Sequence, residues 1–232
     1  MIVGTGLIAS QFNDWWKDKD VIIFASGVSN SKENRLHEYE REKELLKTFH
    51  SSNKLLVYFS TCHIFDEEQS DSFYVKHKLE IEDIVKRNFK NYFILRLPLV
   101  IGQNKNPNSL FNYFFTEIIN KRVINIHKNA IRYFLDIENI EPMIKYVYEN
   151  QNEWNKTVNM VFDDPIPVLK VIEFMESSIG LDARKNIINK GSNYIISNDT
   201  FKKYKSKIFP TIKDEKYSER VFKKHLRLKL NN

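Results

Sequence analysis

The chain opens Met1-Ile2-Val3-Gly4-Thr5-Gly6-Leu7-Ile8-Ala9. A stub of apolar strand runs straight into Gly-x-Gly-x-x-Ala. In that pattern the first glycine makes a tight turn. The second lets a pyrophosphate approach the backbone at a helix N-terminus, and a small third residue lets helix pack on strand. Gly4, Gly6, Leu7 and Ile8 are therefore candidate dinucleotide contacts, and a helix is expected over residues 7–17.

Residues 20–27 (Asp-Val-Ile-Ile-Phe-Ala-Ser-Gly) read as a buried parallel strand. Its small carboxyl-end residues Ala25, Ser26 and Gly27 let a ligand lie against the backbone. Residues 33–49 read as a charged helix with Leu36, Tyr39, Leu45 and Leu46 as its apolar face. Strands are expected at 55–59 and 92–97, with an acidic loop at 66–72 and a helix at 73–88 between them. A loop at 102–108 precedes a helix at 109–120, two short strands at 123–126 and 131–135, and a helix at 136–148. A strand at 157–162 and a helix at 168–179 follow, and beyond Gly180 the pattern fades. Strands alternating with helices imply an α/β fold with a mostly parallel sheet.

The chemistry gathers in residues 59–78. Thr61 stands at the end of an apolar run, Tyr74 follows thirteen residues later, and Lys78 four after that. Positions i and i+4 share a helix face, so Tyr74 and Lys78 can address the spot to which a strand delivers Thr61. A phenol serves as acid or base near neutrality only if its pKa falls, and a nearby cation lowers it. A hydroxyl opposite can hold a substrate oxygen while the phenol passes a proton, which is what hydride transfer to or from a carbinol requires. In a Lys-rich chain the same Tyr-x-x-x-Lys also reads as a solvated helix face.

Composition narrows the classes. With 232 residues, 42% hydrophobic and 28% charged, the chain is expected to form one large domain or one and a half. No apolar run approaches the roughly 18 residues of a membrane span, and the N-terminus reads as a strand rather than a signal peptide. One cysteine, Cys62, excludes an internal disulfide and suits the cytoplasm. No Cys/His cluster has zinc spacing, so no metal is expected. The net charge of +6 is uneven: residues 199–232 hold eleven Lys/Arg against four Asp/Glu, or +7, leaving −1 for the rest. The basic tail reads as a solvated helix face or as a patch favouring phosphates. No nucleic-acid motif or internal repeat is present.

Taken in order, five segments resemble the extended short-chain dehydrogenase/reductase superfamily, in its nucleotide-sugar epimerase/dehydratase/reductase branch. They are residues 4–9, 21–27, Ser60-Thr61 with Tyr74 and Lys78, Leu95-Arg96-Leu97-Pro98-Leu99-Val100-Ile101-Gly102, and Arg132-Tyr133-Phe134-Leu135-Asp136. Ser60-Thr61-Cys62-His63-Ile64-Phe65-Asp66 looks most like the matching segment of dTDP-4-dehydrorhamnose reductases. The resemblance implies a Rossmann-like, doubly wound parallel sheet. Its NAD(P)-binding core would cover 1–160, with 103–135 partly on the substrate side, and 161–232 would form a small substrate-binding region with a basic tail. It implies an NAD- or NADP-dependent enzyme that reduces, oxidises or epimerises a nucleotide-linked sugar, for surface polysaccharide.

By the same resemblance Thr61 would hold the sugar oxygen, Tyr74 would give or take the proton, and Lys78 would bind the nicotinamide ribose and lower the phenol's pKa. Pro98 and Val100 would line the nicotinamide. Cys62 and Asn108 would face the substrate, and Arg132 would meet its diphosphate or form an ordinary ion pair. Cys62 and His63 stand where 4,6-dehydratases keep an acid–base carboxylate pair, and neither is a carboxylate, which argues against a standard dehydratase. His63 reads as a proton shuttle or as a wall of the site. The helix at 73–88, with Ile81, Ile84 and Val85, is compatible with a homodimer.

Two departures stand out. The family places two strands and a helix between the first helix and the strand at 21–27, and with them the residue that reads the adenosine ribose. Here they are absent from the sequence, so the adenine half of the site is cut away and fewer strands are expected. The spacing from Thr61 to Tyr74 is also short for the family, so the loop over the site is trimmed. Either cofactor binding survives, or the fold serves as a non-catalytic nucleotide or sugar-nucleotide binder or regulator.

Overall fold

The computed structural model describes residues 1–103, 106–107 and 109–231. In chain order the strands are β1 (Ile2–Val3), β2 (Val21–Phe24), β3 (Leu55–Thr61), β4 (Tyr92–Leu97), β5 (Leu99–Ile101), β6 (Val123–His127), β7 (Ile131–Arg132), β8 (Phe134–Asp136), β9 (Lys156–Asn159), β10 (Ile166–Pro167) and β11 (Arg184–Ile188). The helices are α1 (Leu36–Lys47), α2 (Phe73–Asn88), α3 (Leu110–Ile119), α4 (Ile140–Glu149), α5 (Val168–Ile179), α6 (Asp199–Ile208) and α7 (Tyr217–Leu230).

The central sheet has five parallel strands in the order β1-β2-β3-β4-β9. Its strands are Val/Ile/Leu/Phe-rich because both faces are covered. On one face Val21, Ile23, Leu55, Val57, Phe93 and Leu95 pack with Phe12 and Trp16 and with residues of α3, α4, α5 and α7. On the other, Ile22, Phe24, Leu56, Tyr58 and Ile94 pack with Leu46 of α1 and with Ile81 and Val85 of α2. Each fully buried Leu, Ile, Val or Phe contributes about 1.5–3 kcal/mol relative to exposure.

Because the strand order is monotonic and every strand is parallel, connections on opposite faces have opposite hand. The links β2–β3 and β3–β4 run over the face of α1 and α2. The links β1–β2 and β4–β9 run over the other, so two of the four carry the disfavoured hand. Among the described residues no strand lies outside β1, in line with the reduced strand number expected.

The helix expected over residues 7–17 is not formed. Two one-turn 3₁₀ helices stand there, Ala9–Gln11 and Asp14–Trp16, with Phe12 extended between them. The Asn13 side chain accepts from the Trp15 amide and starts a new turn. Phe12 and Trp16 are both buried, and their rings meet edge-on at 5.5 Å. The single strand expected at 131–135 is split at Tyr133 into β7 and β8, which pair with different partners. The expected helix at 136–148 begins with a 3₁₀ turn, Ile137–Asn139, before α4. Beyond Gly180, where the pattern faded, β11 joins β6 in parallel and α6 and α7 pack back on the core. Ile81 and Val85 face the chain's own core, so they are not available to a homodimer contact.

Candidate functional site

Parallel strands put the carboxyl ends of β1 to β4 on one edge of the sheet. Where neighbouring strands send their connections to opposite faces, a crevice opens at that edge. This happens twice, between β1 and β2 and between β3 and β4. The first crevice carries Gly4–Ile8 and Ala25–Gly27, and the second carries Thr61, Pro98 and Val100.

Gly4 sits at φ +118, and a Cβ there would lie 2.4 Å from the Ala25 carbonyl oxygen, so the turn admits only glycine. A Cβ on Gly6 would meet nothing within 4 Å, which leaves open space above its backbone. Leu7 packs toward Gly102, where a Cβ would come within 2.8 Å of its Cδ1. Ile8 is half-buried against the main core. On the rim, the Arg41 guanidinium of α1 donates to the Ser26 carbonyl at 3.1 Å and to its hydroxyl at 3.3 Å.

Thr61 ends β3 and accepts from the His63 amide at 3.1 Å, which starts the 3₁₀ turn Cys62–Phe65. Ser72 caps α2 by accepting from the Val75 amide, and the helix then presents Tyr74 and Lys78 inward. All three chemistry-bearing side chains are buried. Thr61 lies within hydrogen-bonding reach of the Tyr74 phenol. The Lys78 ammonium stands 5.9 Å from the Tyr74 ring centre, and the His63 ring stands 6.1 Å from it. The structure thus gathers Thr61, Tyr74, Lys78 and His63 at one place.

Their electrostatics differ from the expectation. Burial pushes the Tyr74 phenol up to about 12; Thr61 works against this, and Glu42 and Cys62 add to it. Lys78, expected to lower the phenol, is paired with other groups: its Nζ donates to Glu42 Oε1 at 3.2 Å and to the Tyr58 hydroxyl at 3.0 Å. Glu42 is wholly buried on α1. It also accepts from the Val28 amide at 2.6 Å and the Tyr58 hydroxyl at 2.8 Å, and pairs with His77 Nε2 at 2.9 Å. Burial alone would raise its carboxyl; Lys78, His77 and the Val28 amide outweigh that and hold it far below the usual range. The pair backs directly onto the first crevice, since a Cβ on Gly27 would lie 2.6 Å from Lys78 Nζ and 2.8 Å from Glu42 Oε1.

On the substrate side, burial and the Arg132 charge push His63 down to about 4, so it is neutral near pH 7. Cys62 is buried, its thiol raised by burial and donating to the Arg96 carbonyl at 3.5 Å. Arg132 donates to the Ile131 carbonyl and pairs with Asp66 at 3.7 Å. Pro98 and Val100 are half-buried beside the carboxyl end of β4. Asn108 lies outside the described residues. An open cleft of ≈ 700 Å³ adjoins, lined by Phe65, Glu67, Glu68 and residues 191–195. Asp66 and Glu68 tie its two walls together, accepting from the Ser192 hydroxyl and the Gly191 amide. Among the described residues no group of His, Cys, Asp and Glu could hold a metal ion, and no helix is long and apolar enough to cross a membrane.

Sequence reasoning missed Glu42, Tyr58 and Asp66. For Glu42 a signal existed: it is three residues from Tyr39 and four from Leu46, which puts a carboxylate on the buried stripe of α1.

No family model matches the sequence, and no curated protein matches it. Solved structures do match. A dTDP-glucose 4,6-dehydratase from Bacillus anthracis in complex with NAD is 14% identical, with 93% of this chain and 74% of that one covered at a TM-score of 0.70. A UDP-glucuronic acid 4-epimerase from Bacillus cereus, in complex with UDP-glucuronic acid and NAD, is 16% identical, with 97% and 79% covered at 0.70. A dTDP-4-dehydrorhamnose reductase from Clostridium acetobutylicum is 15% identical, with 96% and 85% covered at 0.68. The likeness is one of fold and defines a Rossmann-type α/β protein. More narrowly, the fold is that of the nucleotide-sugar dehydratases, epimerases and reductases of the short-chain dehydrogenase/reductase superfamily.

Proposed function

We propose that this chain is a cytoplasmic NAD(P)-dependent oxidoreductase or epimerase acting on a nucleotide-linked sugar, working in surface polysaccharide synthesis. One observation carries the reading: Thr61 from the end of β3 and Tyr74 and Lys78 from α2 meet beside the crevice at the sheet's carboxyl edge. A pure binder has no evident need for all three.

The nicotinamide end of a dinucleotide fits the residues present. Gly4 makes the turn that only glycine permits, Gly6 leaves its backbone open to approach, and the ammonium of Lys78 lies just beneath Gly27. The adenosine end has no counterpart among the described residues, where β1 is the edge of the sheet. A bound nicotinamide dinucleotide would supply or accept the hydride. Gly4, Gly6, Leu7, Ile8 and residues 25–27 would cradle it, with Lys78 at its ribose and Pro98 and Val100 along the nicotinamide. Thr61 would orient the sugar oxygen and Tyr74 would exchange the proton with it. Neutral His63 and buried Cys62 would form the wall on the substrate side. Arg132 would take the substrate diphosphate by giving up Asp66. Residues 161–232 would supply the far wall of the substrate cleft.

The second reading is a non-catalytic nucleotide or sugar-nucleotide binder, favoured by the missing adenosine side and by the engagement of Lys78 with Glu42. Tyr74→Phe separates the two. The enzyme reading expects turnover of a nucleotide-linked 4-keto sugar to vanish with stability little changed. Retained turnover would refute it.

A further inference from the structure

Lys78 and Glu42 are both almost wholly buried, at 3% and 0% side-chain exposure. Glu42 reaches Lys78 from a different helix and is itself fixed by three further donors. A cation thus paired projects little net field at a third group. We propose that Glu42 is a positioning residue that cancels the charge of Lys78 toward Tyr74, so that the Tyr74 hydroxyl keeps its proton and the site works as an acid, on ketone substrates in the reductive direction.

The other groups facing Tyr74 do not replace the missing cation. From α1 come Tyr39, which is neutral, and Glu42, which raises the phenol. From β3 comes Tyr58, which donates to Glu42. The turn after β3 adds Cys62, a protonated thiol, and His63, neutral near pH 7. On α2 itself, His77 is turned to Glu42. Thr61 alone favours the phenolate. Oxidation or epimerisation of a carbinol must begin by removing a proton, for which a phenol held in this state is ill suited. Reduction needs the opposite. The carbonyl carbon gains the hydride of a reduced nicotinamide dinucleotide, the carbonyl oxygen gains the Tyr74 proton, and solvent returns a proton to the phenolate left behind. The directional part rests on the enzyme reading above; the role of Glu42 does not.

The test is a pH titration of tyrosine ring carbons by NMR, in protein carrying labelled tyrosine, with Tyr74→Phe assigning the signal among the 11 tyrosines. It runs to the highest pH at which circular dichroism shows the fold intact. Glu42→Gln is expected to lower the Tyr74 midpoint by about one unit or more, the effect of an uncompensated cation nearby. Glu42→Gln/Lys78→Met, which removes both charges, is expected to leave the midpoint where the native protein has it. An unshifted midpoint in the folded single variant overturns the proposal, and so does a fall in the double variant as large as in the single. Should Glu42→Gln not fold, the double variant decides alone: a midpoint moved by about a unit or more from native refutes cancellation. None of these outcomes depends on dinucleotide binding, so a failure of the enzyme reading registers separately.

Discussion

Lys78→Met removes one ammonium from an enclosed ion pair, whose side chains are 3% and 0% exposed, and keeps the apolar stem. Its loss leaves Glu42, with no exposed surface, facing Val28, Tyr58 and His77 alone. Two hydrogen bonds disappear, at 3.2 Å to Glu42 and 3.0 Å to Tyr58. Breaking one side of a buried pair costs about 3–5 kcal/mol, a large part of the roughly 5–15 kcal/mol that holds a domain folded. Urea denaturation at pH 7, followed by the fluorescence of the three tryptophans, measures it. Adding Glu42→Gln removes the stranded charge. The double variant is therefore expected to lose less than the two single losses summed, with a coupling of about 1–3 kcal/mol. A single-variant loss below about 1 kcal/mol, or additive losses, would refute the claim that Glu42 and Lys78 form one buried unit.

Three further predictions concern the crevice and the substrate wall. Gly27→Ala drives a methyl into Lys78 and Glu42, at 2.6 and 2.8 Å, and is expected to cost about 1–3 kcal/mol. Gly6→Ala meets nothing and is expected to stay within about 1 kcal/mol of native while weakening dinucleotide binding about tenfold or more, as isothermal calorimetry would show. His63 is held neutral, with its folded value near 4 against 6.5 when unfolded. A depressed folded value stabilises fully above 6.5, and that stability drains as pH falls from 6.5 toward about 4. The urea midpoint should drop over that window, and His63→Phe should flatten the part of the slope that lies above about 5.5, where the glutamates held low, such as Glu42 and Glu82, contribute little because their unfolded value is 4.5.

Much of the fold was legible because its signals are local. α2 and α5 stand where periodicity put them, β4 likewise, and the small residues after β2 do close that strand. The gathering of Thr61, Tyr74 and Lys78 followed from a strand end and an i, i+4 pair. What escaped depended on tertiary packing. The turns at Ala9–Gln11 and Asp14–Trp16 stand where a helix was expected, and Asn13 starts the second of them by accepting from the Trp15 amide. Glu42 lies in a helix that reads simply as charged, yet Lys78, His77, Tyr58 and Val28 come from three other places in the chain to meet it. The raised pKa of Tyr74 followed first from its burial, and that missed partner adds to it. The split at Tyr133 depends on β5 and β10, strands the sequence does not announce.

The measurement that bears most directly on the proposed function is calorimetric titration of the purified protein with NAD⁺, NADH, NADP⁺ and NADPH at low salt. Saturable binding of at least one, weakened by Gly6→Ala, is the predicted result. No binding up to millimolar concentration, with circular dichroism showing the protein folded, would contradict the enzyme reading and favour a binder of sugar nucleotides.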